Sequence, residues 1–259
     1  MTLRRTALFS ALALGGVCFA HGANPPSRSS LAEGQALAAE LRLMKPEENL
    51  EVKGVLRIRD NDGKRSTVPF RYQVIVGEKT WQSIYETQPD APRAAEKLTV
   101  IQGEDRPNRY VLVRLHGADV PAAGPRALEG DQAMVAFAHS DFWLADLGLE
   151  FLHWPEQRIV EEAKIRMRKG RPCKVLESVN PHPGAAGYTR VRSWIDAKTG
   201  RPILAEAYGP DHKLLKEFEV GSVTKVNGQW ELKNMEMRNA KTDSQTVLEF
   251  QYEQKTAEK

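Results

Sequence analysis

At 259 residues the chain is long enough to bury a sizeable core, as one large β domain or as two small ones. Its 41% hydrophobic and 27% charged content and mean hydropathy of −0.49 are those of a water-facing protein, and beyond residue 20 no run is long and apolar enough to span a bilayer as a helix. The formal charge of +3 is largely set at the start of the chain: without Arg4 and Arg5 the 37 basic residues become 35 against 34 acids, and no basic stripe with interleaved aromatics supports nucleic-acid binding.

Residues 1–20 read as a signal peptide. Arg4-Arg5 is the positive region, Ala7 to Ala20 the apolar stretch, and Cys18-Phe19-Ala20 a small-residue cleavage site. Arg4-Arg5 also fits a twin-arginine signal, although Ala7 is weakly hydrophobic for that role, so the export route stays open. Lipid anchoring at Cys18 is disfavoured because Gly15-Gly16-Val17 fits the required preceding triplet poorly. Cys173 is then the one remaining cysteine. It can form neither an internal disulfide nor a cysteine-based metal site, and is expected as a small buried hydrophobe in a strand over 173–179.

After a polar leader at 21–29, Ser30 and Glu33 match a capping box, predicting a helix to about Leu43 that Pro46 ends. Leu31, Leu37, Leu41 and Met44 recur on one stripe, so this helix needs a surface to lie on. From Leu50 the period changes to two. Leu50, Val52, Leu56 and Ile58 oppose Glu51, Lys53, Arg57 and Arg59, and an Asp60–Gly63 turn leads to Val68, Phe70, Tyr72, Val74 and Val76. Residues 80–87, 98–102 and 110–115 continue as strands. The short connections imply antiparallel neighbours. Residues 116–128 are Gly-, Pro- and Ala-rich and read as irregular. Residues 140–148 predict one short helix, with Ser140 as N-cap, Asp141 in the first turn and Gly148 as the stop. Strands over 158–167 and 173–179 follow.

Residues 188–252 are written almost wholly in strand language. Five alternating segments lie between turns at 196–202, 209–211, Asn227-Gly228 and beyond Arg238, and Asn227-Gly228 suits a type I′ hairpin. About twelve strands are expected in all. Trp194 and Trp230 are expected in the core.

A search for catalytic chemistry finds little. The histidines at 21, 116, 139, 153, 182 and 212 show no metal-site spacing, and there is no nucleophile elbow, phosphate loop or CxxC. His139 and Asp141 flank Ser140, but capping accounts for Ser140 and Asp141. Glu161 and Glu162 are adjacent in a strand and so face opposite sides. No catalytic residue, metal or cofactor is assigned.

The order of an amphipathic helix, strands with an Asp-Asn-Asp-Gly turn, a mid-chain Ser-Asp helix, then Val-Arg-Ser-Trp-Ile-Asp-Ala-Lys-Thr-Gly-Arg-Pro-Ile-Leu and a Gly-Gln-Trp strand resembles the outer-membrane lipoprotein-sorting proteins, the LolA/LolB-like group, in its uncharacterised branch. The resemblance implies a mainly β (α+β) domain over residues 30–255, with a tail at 256–259. A single curled antiparallel sheet would form a half-open β-barrel, with the N-terminal helix and the short mid-chain helix covering the open side. It further implies a periplasmic carrier that sequesters lipoprotein acyl chains or other lipid, with peripheral membrane contact. The alternative is an envelope sensor or assembly factor that uses the fold to bind a protein. The cavity would be lined by Phe70, Tyr72, Trp81, Tyr85, Phe142, Trp143 and Leu147. A carrier predicts a hollow interior; a protein-binding module predicts a filled one.

Overall fold

The structure, a computed structural model, describes residues 27–88, 94–103, 106–115, 123–160, 165–185, 187–226 and 229–252. The signal peptide, Cys18, most of the leader, His116, the Glu161-Glu162 pair, the Asn227-Gly228 turn and the tail lie outside them.

Among the described residues, helix α1 (Arg28–Arg42) precedes β1 (Leu50–Arg59), β2 (Arg65–Val76), β3 (Thr80–Thr87), β4 (Glu96–Gly103), β5 (Arg109–Arg114) and β6 (Ala123–Leu128). Helix α2 (Leu144–Leu147) lies mid-chain between 3-10 turns at Gly130–Ala133 and Glu150–His153. There follow β7 (Glu156–Ile159), β8 (Arg166–Arg168), β9 (Arg171–Val179), β10 (Arg190–Asp196), β11 (Pro202–Tyr208), β12 (Leu214–Val226), β13 (Gln229–Asn239) and β14 (Gln245–Gln251). Fourteen strands replace the expected twelve. Residues 123–128 pair on β5, and the expected 158–167 strand is two short ones, β7 and β8, both on β9. No helix of the described residues is long and apolar enough to cross a membrane.

All the strands form one antiparallel, unclosed sheet in the order β6-β5-β4-β3-β2-β1-β14-β13-β12-β11-β10-β9-β7, with β8 beside β9. Two hairpin-connected meanders, β1–β6 and β9–β14, join where β1 pairs β14 in register from Lys53↔Gln251 to Arg59↔Gln245. The five segments of the downstream meander appear as expected. The sheet curls because strands this numerous accumulate twist, and its concave face collects the inward residues of both halves. Leu56, Phe70, Leu98, Tyr110, Leu248 and Phe250 belong to one buried cluster with Phe142, Leu144 and Leu147; Leu176, Tyr188, Val191 and Ile195 belong to a second with α1. At Gly54 on β1 an added Cβ would lie 2.3 Å from the Phe70 ring, and that bare backbone lets Phe70 and Phe250 meet edge-on at 6.0 Å.

Three expectations need correction. The α1 N-cap is Ser27, whose hydroxyl accepts from the Ser30 amide at 3.1 Å; Ser30 is buried and instead donates to the Ile159 carbonyl at 2.6 Å. That contact satisfies a carbonyl of β7, the edge strand that α1 covers. The mid-chain helix is only Leu144–Leu147, with Trp143 at its N-cap, because residues 136–143 close into a tight loop bridged between Ala136 and Trp143. Ser140 accepts from Phe142 N–H within that loop. Trp230 is not core: it is 63% exposed, since β13 runs past its neighbour β14 there. Trp194 is buried, but in a small cluster with Cys173, Val175, Ile203 and Leu204, on the side of the sheet opposite Val191 and Ile195. Cys173 is buried as expected.

Gly34 sets how closely α1 docks. A Cβ there would lie 2.4 Å from the Arg158 Cα of β7, a backbone atom that cannot swing aside. In an isolated helix Gly→Ala stabilises by about 0.5–1 kcal/mol. Here Gly34→Ala is expected to destabilise by roughly 2–3 kcal/mol through overpacking, read as a lowered thermal midpoint. A raised midpoint would refute this account of α1 docking.

Candidate functional site

The concave face is closed by a cover, residues 129–154, which holds α2 and both 3-10 turns. Phe137, Phe142, Leu144, Ala145, Phe151 and Leu152 point into the two apolar clusters. Three non-glycine residues of the cover, Ala138, His139 and Leu149, have left-handed backbones with φ of 51°, 57° and 52°. Such conformations persist where the surroundings over-determine them.

Polar side chains of the sheet supply that determination. Glu96 accepts from Ala138 N–H at 2.8 Å. Asn108 donates to the Gly148 carbonyl at 2.7 Å, and the Tyr110 hydroxyl to Glu150 at 2.8 Å. The Asp141 carboxylate accepts from the hydroxyls of Ser244 and Thr246, and its amide donates back to Thr246 Oγ1 at 2.9 Å. Gln157 donates to the carbonyls of Phe151 and Trp154, and Arg42 of α1 donates to that of Leu152. Most of these groups capture a backbone group of the cover that would otherwise be buried unpaired.

At the centre stands Lys216, whose side chain is 2% exposed. Its Nζ donates to the Asp141 carbonyl at 2.6 Å, lies 3.5 Å from Asp146 Oδ2 and sits 3.6 Å from the centre of the Trp143 ring. Tyr188 donates to Asp146 Oδ1 at 2.9 Å and stacks on Trp143 with ring centres 4.6 Å apart. Burial pushes the Lys216 ammonium down to about 8, against the opposing pull of Asp146 and Asp141. The ring faces and the one carboxylate let a cation persist there. Beside it is a cleft of about 20 Å³, room for one water, walled by Leu149, Phe151, Val191, Ala205, Ala207, Phe218 and Met237 and ended by Asp146, Tyr188 and Lys216. Around it pack the side chains of the two apolar clusters.

The residues singled out from the sequence are placed as follows. Phe70, Tyr72 and Tyr85 form one ring cluster, with Tyr72 and Tyr85 centres 4.7 Å apart, and Phe142 and Leu147 pack in the same core. Trp143 lies in the second cluster, on Tyr188. Trp81 is buried at the start of β3 and joins neither cluster. None of the seven lines the cleft. Lys216, Asp146 and Tyr188 were missed. Lys216 had a signal, since it occupies an inward slot of the alternation that Phe218 and Val220 continue. His139 and Asp141 share a separate open hollow of about 220 Å³ with Asp60, Asn61 and Ser244, on the sheet's outer end. The Asp141 carboxylate is held by Ser244 and Thr246 there, and Ser140 is turned to the Phe142 amide, so the three do not form a nucleophile–base chain.

The model of a protein family described as "uncharacterized protein" matches residues 122–257, just over half of the chain. The chain belongs to that family. No curated protein matches it. Its fold is that of the LolA/LolB-like group. It is similar to a crystal structure of a DUF1329 family protein from Desulfovibrio piger, with a TM-score of 0.69 and 18% identity over 89% of this chain and 95% of that one. It is also similar to a lipoprotein-sorting protein domain from Vibrio parahaemolyticus (0.69, 17%, over 88% and 95%). A LolA superfamily protein from Nitrosomonas europaea gives 0.56 and 18% over 88% and 95%. These likenesses establish the curled sheet. The cover's fastenings are read from this family member's own side chains.

One fastening is pH-sensitive. Burial pushes the Glu150 carboxyl up to about 7, although hydrogen bonds from Tyr110 and Asn108 oppose the rise. A raised carboxyl contributes stability that is full below its ordinary value of 4.5 and is lost as pH climbs through about 7. Glu150→Gln, neutral at every pH, is expected to flatten that loss. Relative to wild type it should gain on the order of 2–3 kcal/mol between pH 5 and pH 8 in denaturant melts. Parallel curves for the two proteins would contradict the assignment.

Proposed function

We propose that this protein is a periplasmic carrier that shields acyl chains of lipoproteins or other lipids on the concave face of the sheet, and that the covered arrangement is its closed form. What supports this reading is one observation: an apolar concave face, on a LolA-like sheet, is shut by a single cover segment that packs apolar side chains against it and whose backbone is held by separate polar contacts. Displacing the cover exposes Phe70, Tyr72 and Tyr85 and withdraws Phe142, Trp143 and Leu147, while Trp81 stands at the rim. The cleft beside Lys216 is where an entering chain begins to part cover from sheet. The reading assigns no catalytic residue and no cofactor.

A second reading rests on the apolar clusters packed under the cover. A closed, packed domain with a free sheet edge suits an envelope sensor or assembly factor, and β6 offers such an edge at Gly124–Leu128.

The carrier reading is tested by extracting protein purified from bacterial envelopes and analysing the extract by lipid mass spectrometry, alongside uptake of a fluorescent fatty acid. Bound acyl lipid and saturable uptake are expected. Ala207→Leu, which overfills the cleft, should weaken uptake about tenfold, the loss of roughly two buried methylenes, and overpacking should lower stability by about 1–3 kcal/mol without unfolding the protein. Protein that arrives empty and takes up no fatty acid would sink the carrier reading, and recovery of one stoichiometric envelope protein would favour the second.

A further inference from the structure

In an antiparallel meander the ends of alternate strands fall together. The end of β2, the start of β3, the end of β12, the starts of β13 and β9 and the β10–β11 turn therefore share one end of this sheet. The C-terminus of α1 reaches the same end, where Lys45 Nζ donates to the Glu78 carbonyl in the β2–β3 turn at 2.7 Å. Most of the large apolar side chains that the described residues leave exposed are here: Leu43 and Met44 after α1, Ile75 on β2, Met167 beside the start of β9, and Val223 and Trp230 on β12 and β13. Ile165 directly precedes β8, and Val135 and Leu214 lie elsewhere.

Val223 and Trp230 project furthest. β11 pairs β12 only as far as Glu219, and β14 pairs β13 only from Asn234, so the rest of the β12–β13 ribbon overhangs the sheet. Within it Val223 pairs Leu232 and Lys225 pairs Trp230, and partners directly opposite in a ribbon point to one side. An exposed indole thus stands beside an exposed ammonium at the tip.

The two ends also differ in charge. At the apolar end, the β2–β3, β4–β5, β8–β9 and β10–β11 connections carry Lys79, Arg106, Lys169, Lys198 and Arg201 against Glu78, Glu104 and Asp105, with Lys169 also paired to Glu219 of β12. At the other end, the β1–β2, β11–β12 and β13–β14 turns carry Asp60, Asp62, Asp211 and Asp243 against Lys64, Lys213 and Lys241. The α1–β1 connection adds Lys45, Glu47 and Glu48 to the first set and does not reverse its sign.

We propose that this end of the sheet docks on the surface of an anionic lipid membrane, led by Trp230 and Val223 on the overhanging ribbon. Scattered apolar side chains ringed by lysines match such a boundary. Indole rings settle at the headgroup level, the aliphatic tips enter the acyl edge, and the cations meet anionic headgroups. The more acidic end then faces away from the membrane. This surface is distinct from the cleft and does not rest on the carrier reading.

The test is co-sedimentation of the purified full chain with phosphatidylcholine vesicles, with and without phosphatidylglycerol, at low and physiological salt. Binding is expected to the phosphatidylglycerol vesicles and to weaken as salt rises. Trp230→Ser should reduce it about tenfold, the scale of one large apolar side chain withdrawn. Lys225→Glu should reduce it as well. Leu214→Ser, at the opposite end, should bind as wild type, and residues 1–20 are common to every variant compared. Ala207→Leu should also bind normally, which separates docking from acyl uptake. Failure to sediment with phosphatidylglycerol vesicles, equal binding to both vesicle types, or wild-type binding by Trp230→Ser would overturn the proposal. So would a stoichiometric envelope-protein complex that needs Trp230 while vesicles stay unbound.

Discussion

The pairing of β1 with β14 is the constraint on which the rest of this structure depends. Each meander alone is a sheet with one apolar face and little to cover it. Joined edge to edge along the first and last strands, they make a surface wide enough to curl and to enclose the cover. The seam is set by side chains as much as by the ladder. Leu56 and Leu248 face each other fully buried, and Gly54 leaves room for Phe70 and Phe250 to meet across it. The loop it closes spans most of the chain, and joining such distant strands is entropically costly and intrinsically slow.

The two faces of the sheet solve different problems. On the side of Trp194, Glu177 is 1% exposed and is held by Arg158 and by Arg192, with Arg190 nearby. Burial alone would raise its carboxyl, yet the contacts of Arg192 and Arg158 hold it below the usual range, so it stays ionised and ties β7, β9 and β10 together. On the concave side the polar residues are spread singly under the cover. Each satisfies one or two groups, and Lys216 joins a ring pair, a carbonyl and a carboxylate. The first arrangement binds strand to strand; the second binds sheet to cover.

Much of this architecture is legible in the sequence. Period-two alternation from Leu50 and again from Arg190 places the strands, because a half-buried sheet forces inward and outward residues to alternate. The covered α1 and the downstream meander follow from the same logic. The cover is not legible in that way. Residues 136–143 hold their shape through Glu96, Thr246 and Ser244, which are distant in sequence, so Ser140 and Asp141 read locally as a helix start when tertiary partners claim Asp141 and Ser140 turns to the Phe142 amide inside the loop. Trp230 misleads for a related reason. Its segment alternates like a core strand, but whether a neighbour covers it depends on where β14 stops pairing. The site shows the same division: the aromatic cluster of Phe70, Tyr72 and Tyr85 could be named from pattern, whereas a lysine in an inward slot had first to find Asp146 and Trp143.

On the carrier reading, the apolar packing under the cover bounds the ligand. Lifting the cover removes Phe142, Leu144 and Leu147 from the core, and fully burying such side chains is worth roughly 1.5–3 kcal/mol each. The hydrogen bonds released to water cost less, about 1 kcal/mol apiece in net terms. At about 0.8 kcal/mol for each buried methylene, an acyl chain must bury roughly two to four methylenes for every such side chain withdrawn before the open state competes with the closed one. Short fatty acids then leave the cover in place however well they fit the cleft, since a ligand shifts the equilibrium only by its differential affinity for the two states. Only long acyl chains, or several together, reach that threshold. The packing seen here is therefore compatible with carriage of long chains and sets the length below which carriage fails.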